Sequence, residues 1–152
     1  MAEPIDFELT VSYLLAKVST AFRTSLEQHM INIGLHSGQV FLLLELWKAD
    51  GQRQIDLAKH LDLAAPTVNK TIKGLIDIGL VTRSRIDDDA RSTRIYLTES
   101  GIAIREQIEE QWLDMEGECL SGLNKMERSL IFGLLEKLRS QFTGRPAPED
   151  DE

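Results

Sequence analysis

Residues 54–85 read QIDLAKHLDLAAPTVNKTIKGLIDIGLVTRSR, and the succession of patterns in this stretch decides the fold. Gln54 to His60 has the length of a short helix, with Ala58 as the small side chain that lets a second helix come close. The next helix begins near Ala65-Pro66, because proline suits a first helical turn, and stops at Gly79, where glycine takes a left-handed cap. Val68, Ile72, Leu75 and Ile76 give it an inner stripe, and Leu61 and Leu63 flank the turn before it. Past Gly79 the period changes. Leu80 to Arg85 and Thr93 to Leu97 alternate and carry β-branched or aromatic side chains, which marks two strands around the polar loop Ile86 to Ser92. Helix, tight turn, helix and hairpin is the order of a winged helix-turn-helix.

Outward from that centre the chain is helical. Phe7, Val11, Leu14, Leu15, Val18, Phe22 and Leu26 recur at steps of three and four, which predicts a long amphipathic helix ending near Gly34. A second helix is predicted over Ser37–Lys48, with Val40, Leu43, Leu44 and Trp47 inward and Asp50-Gly51 as its stop. Thr98 can cap a later helix that places Ile104, Ile108, Trp112, Met115 and Cys119 on one face. Asn124 and Glu127 make a capping box for a last helix bearing Ile131, Leu134, Leu135, Leu138 and Phe142. The fold class is therefore mainly α with a small β-hairpin wing. Thr143 to Glu152, with two prolines and four acids, reads as a disordered tail.

Composition narrows the function. At 42% hydrophobic and 28% charged residues, the 152-residue chain reads as an ordinary globular protein. No apolar run is long enough to span a bilayer, and the N-terminus lacks the basic start of a secretory signal, so a cytoplasmic address is expected. One cysteine and no Cys/His cluster leave neither a disulfide nor a metal or other cofactor to expect. Cys119 reads as core packing on its helix stripe rather than as a redox sensor. His29, His36 and His60 lie in separate helical segments without a nucleophile or carboxylate at a characteristic spacing, which speaks against an enzyme.

The net charge of -8 would argue against nucleic acid, but it is unevenly spread. Gly51 to Tyr96 holds eight Lys/Arg against six Asp, while the remainder holds nine against nineteen acids. The helix that follows the turn carries Pro66, Thr67, Asn69, Lys70 and Lys73 near its N-terminus, the part of a recognition helix that enters the major groove of duplex DNA. A helix that is merely solvated would also be polar there. A winged helix that binds another protein is the competing reading, but such a face should be apolar, and this one adds Arg83, Arg85, Arg91 and Arg94.

From Gly34 to Phe142 the chain resembles the MarR family of bacterial regulators. The resemblance rests on Leu35-His36-Ser37-Gly38-Gln39, on Leu57-Ala58-Lys59-His60-Leu61-Asp62-Leu63 with Thr67-Val68, and on Gly79-Leu80-Val81. Its most telling part is Asp89-Ala90-Arg91-Ser92 followed by Leu97-Thr98-Glu99-Ser100-Gly101. It implies that Arg91 reaches the minor groove, that Asp89 holds it there, and that two copies pair through the first and last two helices. The implied division is 1–34 for dimerisation, 35–100 for the DNA-binding lobe, 101–142 for dimerisation again and 143–152 for the acidic tail. It further implies a repressor released by a small aromatic effector, for which Tyr13, His36, Trp47 and Trp112 are candidate lining residues. Three positions depart from the family pattern: Ala90 replaces a second wing arginine, Ala64 replaces a serine cap, and Asp62 stands where glycine is common.

Overall fold

A computed structural model describes residues 1–85 and 93–143. The element order is a 3-10 turn (Phe7–Leu9), α1 (Val11–Ile31), α2 (Ser37–Lys48), β1 (Gln52–Arg53), α3 (Gln54–Leu61), α4 (Ala65–Asp77), β2 (Val81–Arg85), β3 (Thr93–Leu97), α5 (Glu99–Ala103), α6 (Arg105–Cys119) and α7 (Lys125–Thr143). The class is mainly helical with a small antiparallel sheet, as read from the sequence. The sheet has a third strand that the sequence did not announce. β1 is two residues long and pairs with β3, Gln52 opposite Ile95 and Arg53 opposite Arg94, to give the order β1-β3-β2. β2 and β3 run antiparallel with Arg83 opposite Ile95 and Arg85 opposite Thr93. The wing loop, including Asp89 and Arg91, and the tail from 144 lie outside the described residues.

The chain divides into two compact units, Met1–Met115 and the part from Glu116 onward. The first holds the core: Leu26 and Met30 of α1, Val40, Leu42, Leu43 and Leu46 of α2, Leu57 of α3, Val68, Ile72 and Leu75 of α4, Ile95 of β3, and Ile108 and Met115 of α6. α2 serves as the central rod against which α3, α4 and the sheet assemble. The N-terminal half of α1 behaves differently from its C-terminal half. Val11, Leu14 and Val18 are exposed, as are Phe7 and Leu9 before them. In the second unit, the Asn124–Glu127 capping box forms in both directions, Glu127 N–H to Asn124 Oδ1 at 2.9 Å and Asn124 N–H to Glu127 Oε2 at 2.8 Å. The helix it opens, α7, buries none of its residues, and Leu130, Phe132, Leu134 and Phe142 face outward.

Three expectations need correction. The helix predicted to follow Thr98 is two helices, with a break at Ile104. The break is slight, since Ile104 keeps right-handed helical angles and its carbonyl still receives the Ile108 N–H at 3.1 Å. Cys119 is exposed, because the buried stripe of α6 ends at Met115 and the helix runs one turn past the core. Ile76 is also exposed, lying about 80° around α4 from Val68 and therefore at the edge of the inner stripe.

Candidate nucleic-acid interface

The turn between α3 and α4 is closed by main-chain bonds. Asp62 adopts φ 52°, ψ 47°, the left-handed region, and the Leu63 N–H returns to the Ala58 carbonyl at 3.0 Å while the Asp62 N–H reaches Lys59 at 3.2 Å. This is the six-to-one closure that helices commonly end on with glycine, here carried by an aspartate. α4 then starts from Ala64, which has no side chain to cap it. The loss is small for a structural reason. Pro66 has no N–H to satisfy, and the N–H groups of Thr67 and Val68 both return to the Ala64 carbonyl, at 3.0 and 3.1 Å.

α4 divides cleanly around its axis. Val68, Ile72 and Leu75 are wholly buried against the core, whereas Pro66, Thr67, Lys70 and Lys73 are exposed. Asn69 lies between the two faces and is half-buried. Its side-chain oxygen receives Arg83 Nη2 at 3.1 Å from β2 and Gln54 Nε2 at 3.3 Å from the first turn of α3. One amide thus ties α3, α4 and the wing strand together. Beside this network a cleft of about 250 Å³ is lined by Gln54, Asn69, Arg83, Arg85 and Thr93 among others. Two buried polar atoms bordering it, Arg83 Nε and Thr93 Oγ1, have no hydrogen-bond partner among the described residues.

The remaining wing cations separate by role. Arg85 is exposed on β2. Arg94 is half-buried and donates from Nη1 to the Gly51 carbonyl at 2.8 Å, so it fastens the β1 end of the sheet. At the other end of the sheet Gly79 turns the chain out of α4 with φ 77°. Gly101 then sits so close to the Leu80 carbonyl that a side chain there would collide with it. Around that approach Thr98 Oγ1 donates to the Gly79 carbonyl at 2.6 Å and accepts the Gly101 N–H at 3.1 Å.

The four candidate effector residues are not assembled around this cleft. Trp112 packs edge-on against Phe22 and Phe41, ring centroids 6.0 and 6.1 Å away. Trp47 is half-buried, donates from Nε1 to the Gly101 carbonyl at 3.0 Å and lies under Arg105. Tyr13 carries Lys17 over its ring. His36 holds the N-cap position of α2, with its Nδ1 2.6 Å from Glu27 Oε1 and its side chain 72% exposed. Glu27 reaches across from α1 and receives the Ser37 N–H at 2.7 Å on its other oxygen. That backbone donor, followed by His36, holds the Glu27 carboxyl below the usual carboxylate range. All four candidates thus have packing or capping partners.

Sequence reasoning missed Gln54, whose partner is fifteen positions away and is brought near only by the packing of α3 on α4. It missed Glu27 for the same reason. No local pattern marks either residue.

Residues 35–93 match the model of the MarR family. Among solved structures, the chain is similar to a MarR transcriptional regulator from Methanosarcina mazei Go1, with 24% identity, a TM-score of 0.78 and coverage of 88% of this chain and 90% of that one. It is similar to CouR from Rhodococcus jostii RHA1, solved bound to p-coumaroyl-CoA, at 19% identity and a TM-score of 0.77 over 90% of this chain and 94% of that one. A third is BpsR of Bordetella bronchiseptica, whose DNA binding is regulated by 6-hydroxynicotinic acid, at 25% identity and a TM-score of 0.77 over 90% and 99%.

Proposed function

With residues 35–93 carrying a MarR-family domain inside a MarR-type winged-helix fold, we propose that this chain is a transcriptional regulator that binds duplex DNA as a homodimer. The observation that carries the reading is the division of α4. Its inner face is sealed into the core, Thr67, Lys70 and Lys73 are exposed on the opposite side, and Asn69 stands at the border between the two, the geometry of a helix laid in the major groove. Arg85 and Arg91 of the wing contact the flanking backbone and minor groove, with Asp89 orienting Arg91. The exposed face is too polar and cationic for a protein-docking patch.

Dimerisation is assigned to segments 1–34 and 101–142, and the lobe 35–100 binds DNA. Support comes from the apolar side chains left in water within each unit: Leu14 and Val18 in one, Ile131, Leu134 and Leu138 in the other. The protein acts in the cytoplasm as a repressor without catalytic activity. A small effector releases it, consistent with the ligands of the CouR and BpsR structures; this reading retains Tyr13, His36, Trp47 and Trp112 as the effector contacts.

Two-fold symmetry requires a pseudo-palindromic operator with half-sites about 10 base pairs apart. Selection of bound sequences from a random duplex pool, followed by footprinting, tests this. A dyad-symmetric site protected by a protein that sediments as a dimer is the expected result, and failure to enrich any sequence would refute DNA binding. A thermal-shift screen against aromatic carboxylates tests the effector, and ligands that stabilise the protein should also release it from that site.

A further inference from the structure

We propose that Gln54 and Arg83 act as positioning residues that fix Asn69 as a donor-only reader, so that the recognition helix favours a guanine or thymine acceptor edge over adenine. The proposal rests on the DNA-binding reading above and adds a base preference to it. An asparagine side chain has an oxygen with two acceptor positions and a nitrogen with two donors, and which way the amide points has to be settled by its partners. Here the partner settles it. A guanidinium has no acceptor atom, so the Asn69 atom that faces Arg83 Nη2 at 3.1 Å is the oxygen. Gln54 Nε2 occupies the second position on the same oxygen at 3.3 Å. Both acceptor sites are therefore filled from within the protein, and no described residue receives a hydrogen from Asn69 Nδ2.

That occupancy changes what the amide can read. The familiar pairing of asparagine with adenine uses both ends of the amide: the oxygen accepts from the 6-amino group while the nitrogen donates to N7. With its oxygen saturated, Asn69 can offer only N–H. Against adenine the nitrogen keeps N7 as a partner but its hydrogens crowd those of the 6-amino group that the oxygen would otherwise accept from, and against cytosine they meet the 4-amino group. Guanine presents N7 and O6, both acceptors, and thymine presents O4. Asn69 stands in the second turn of α4, one residue before the exposed Lys70, close enough to the groove-facing side for its free nitrogen to serve. The sheet contributes to the same lock, since Arg83 is fixed opposite Ile95 in the β2–β3 register.

The test is base selection from a random duplex pool by the full-length wild type, N69D and Gln54→Met, followed by affinity titrations. N69D keeps the shape of the side chain and accepts from Arg83 and Gln54 as before, but it has no hydrogen to give. Wild type is expected to select guanine or thymine at one position of each half-site. N69D should lose that preference by about fivefold or more while keeping the preferences at other positions and the melting temperature. Gln54→Met vacates one acceptor site on Asn69 and should raise tolerance of adenine at that position alone. Should N69D fail to fold, wild type is titrated with an operator whose selected base carries an analogue lacking the major-groove acceptor; weakened binding is expected, and unchanged affinity would overturn the proposal. Adenine selected by the wild type at the Asn69-dependent position, or N69D preferences identical to wild type, would overturn the donor-only reading while leaving DNA binding intact. A Gln54→Met protein with unaltered adenine tolerance would remove Gln54 from it. A pool that yields no enriched sequence refutes DNA binding itself, and this preference with it.

Discussion

Gly101→Ala is the substitution whose cost is most directly set by the geometry. A Cβ at this position would sit 2.1 Å from the Leu80 carbonyl oxygen, 3.1 Å from its carbon and 3.2 Å from Leu97 Cδ2. Ordinary contact begins at 3.4 Å, so α5 must retreat from Leu80 by about 1.3 Å, and the obstacle is backbone rather than a side chain that could rotate. Retreat strains the Trp47 bond to the Gly101 carbonyl and the Thr98 cap on the Gly101 N–H. Overpacking costs about 1–3 kcal/mol, and the two bonds about 1 kcal/mol each. Alanine returns about 1 kcal/mol through its better helix propensity. The net is about 2–4 kcal/mol, which for a chain of this size lowers Tm by roughly 5–15 °C. Denaturation at fixed protein concentration measures it, with Trp47→Phe as a second mutation that removes the N–H and leaves a smaller aromatic ring. Alone, Trp47→Phe should cost about 1 kcal/mol. Added to Gly101→Ala it should cost clearly less than it does alone, since the bond is already weakened. A Gly101→Ala protein that melts with the wild type, or full additivity of the two mutations, would refute the reasoning.

Glu27→Gln tests the α2 cap. Because the Glu27 carboxyl is held below its ordinary range by the Ser37 N–H, its stabilising contribution is complete above that range and fades as pH falls through the depressed folded value. Wild type should therefore exceed the variant by about 1 kcal/mol near neutrality, with the gap closing in acid; melting curves that stay parallel down to the acid limit would contradict this. Lys70→Ala and Lys73→Ala should weaken binding to all sequences alike and make the log-log salt dependence shallower by about one unit for each phosphate ion pair removed, as read by fluorescence titration at several salt concentrations. Arg91→Ala should lower operator affinity by about 1–3 kcal/mol without altering Tm. Asp89→Ala should also weaken binding if it orients Arg91; tighter binding would mean that its charge merely repels phosphate.

The parts of the fold legible in the sequence were those with a local period or a local cap. The α4 stripe from Val68 to Leu75, the left-handed Gly79, the Asp62 turn and the Asn124–Glu127 box each depend on residues within one or two helical turns, and each stands where it was read. What escaped was set by packing between elements. β1 is a strand only because β3 lies beside it, and two residues carry no alternation to detect. Ile76 and Cys119 have the right residue type on nearly the right face, but exposure depends on where the neighbouring surface ends. In the candidate interface, the residue types were readable while their division of labour was not. Arg83 and Arg94 look alike in sequence, yet one holds Asn69 and the other fastens β1.

α7 has a further consequence at the level of the cell. Nineteen residues long and burying none of them, it draws little within its own unit from the tertiary packing that supplies most helical stability in proteins. In the proposed dimer its stability rises with the logarithm of chain concentration. As growth dilutes the protein, each dissociated copy presents Phe132, Leu134 and Phe142 on an opening helix, the kind of segment that proteases cut. On the proposed function, falling abundance would then shorten the lifetime of the protein at the same time as it empties its DNA site. Shut-off would therefore be steeper than binding equilibrium alone provides, with the molecule's own turnover acting as the amplifier.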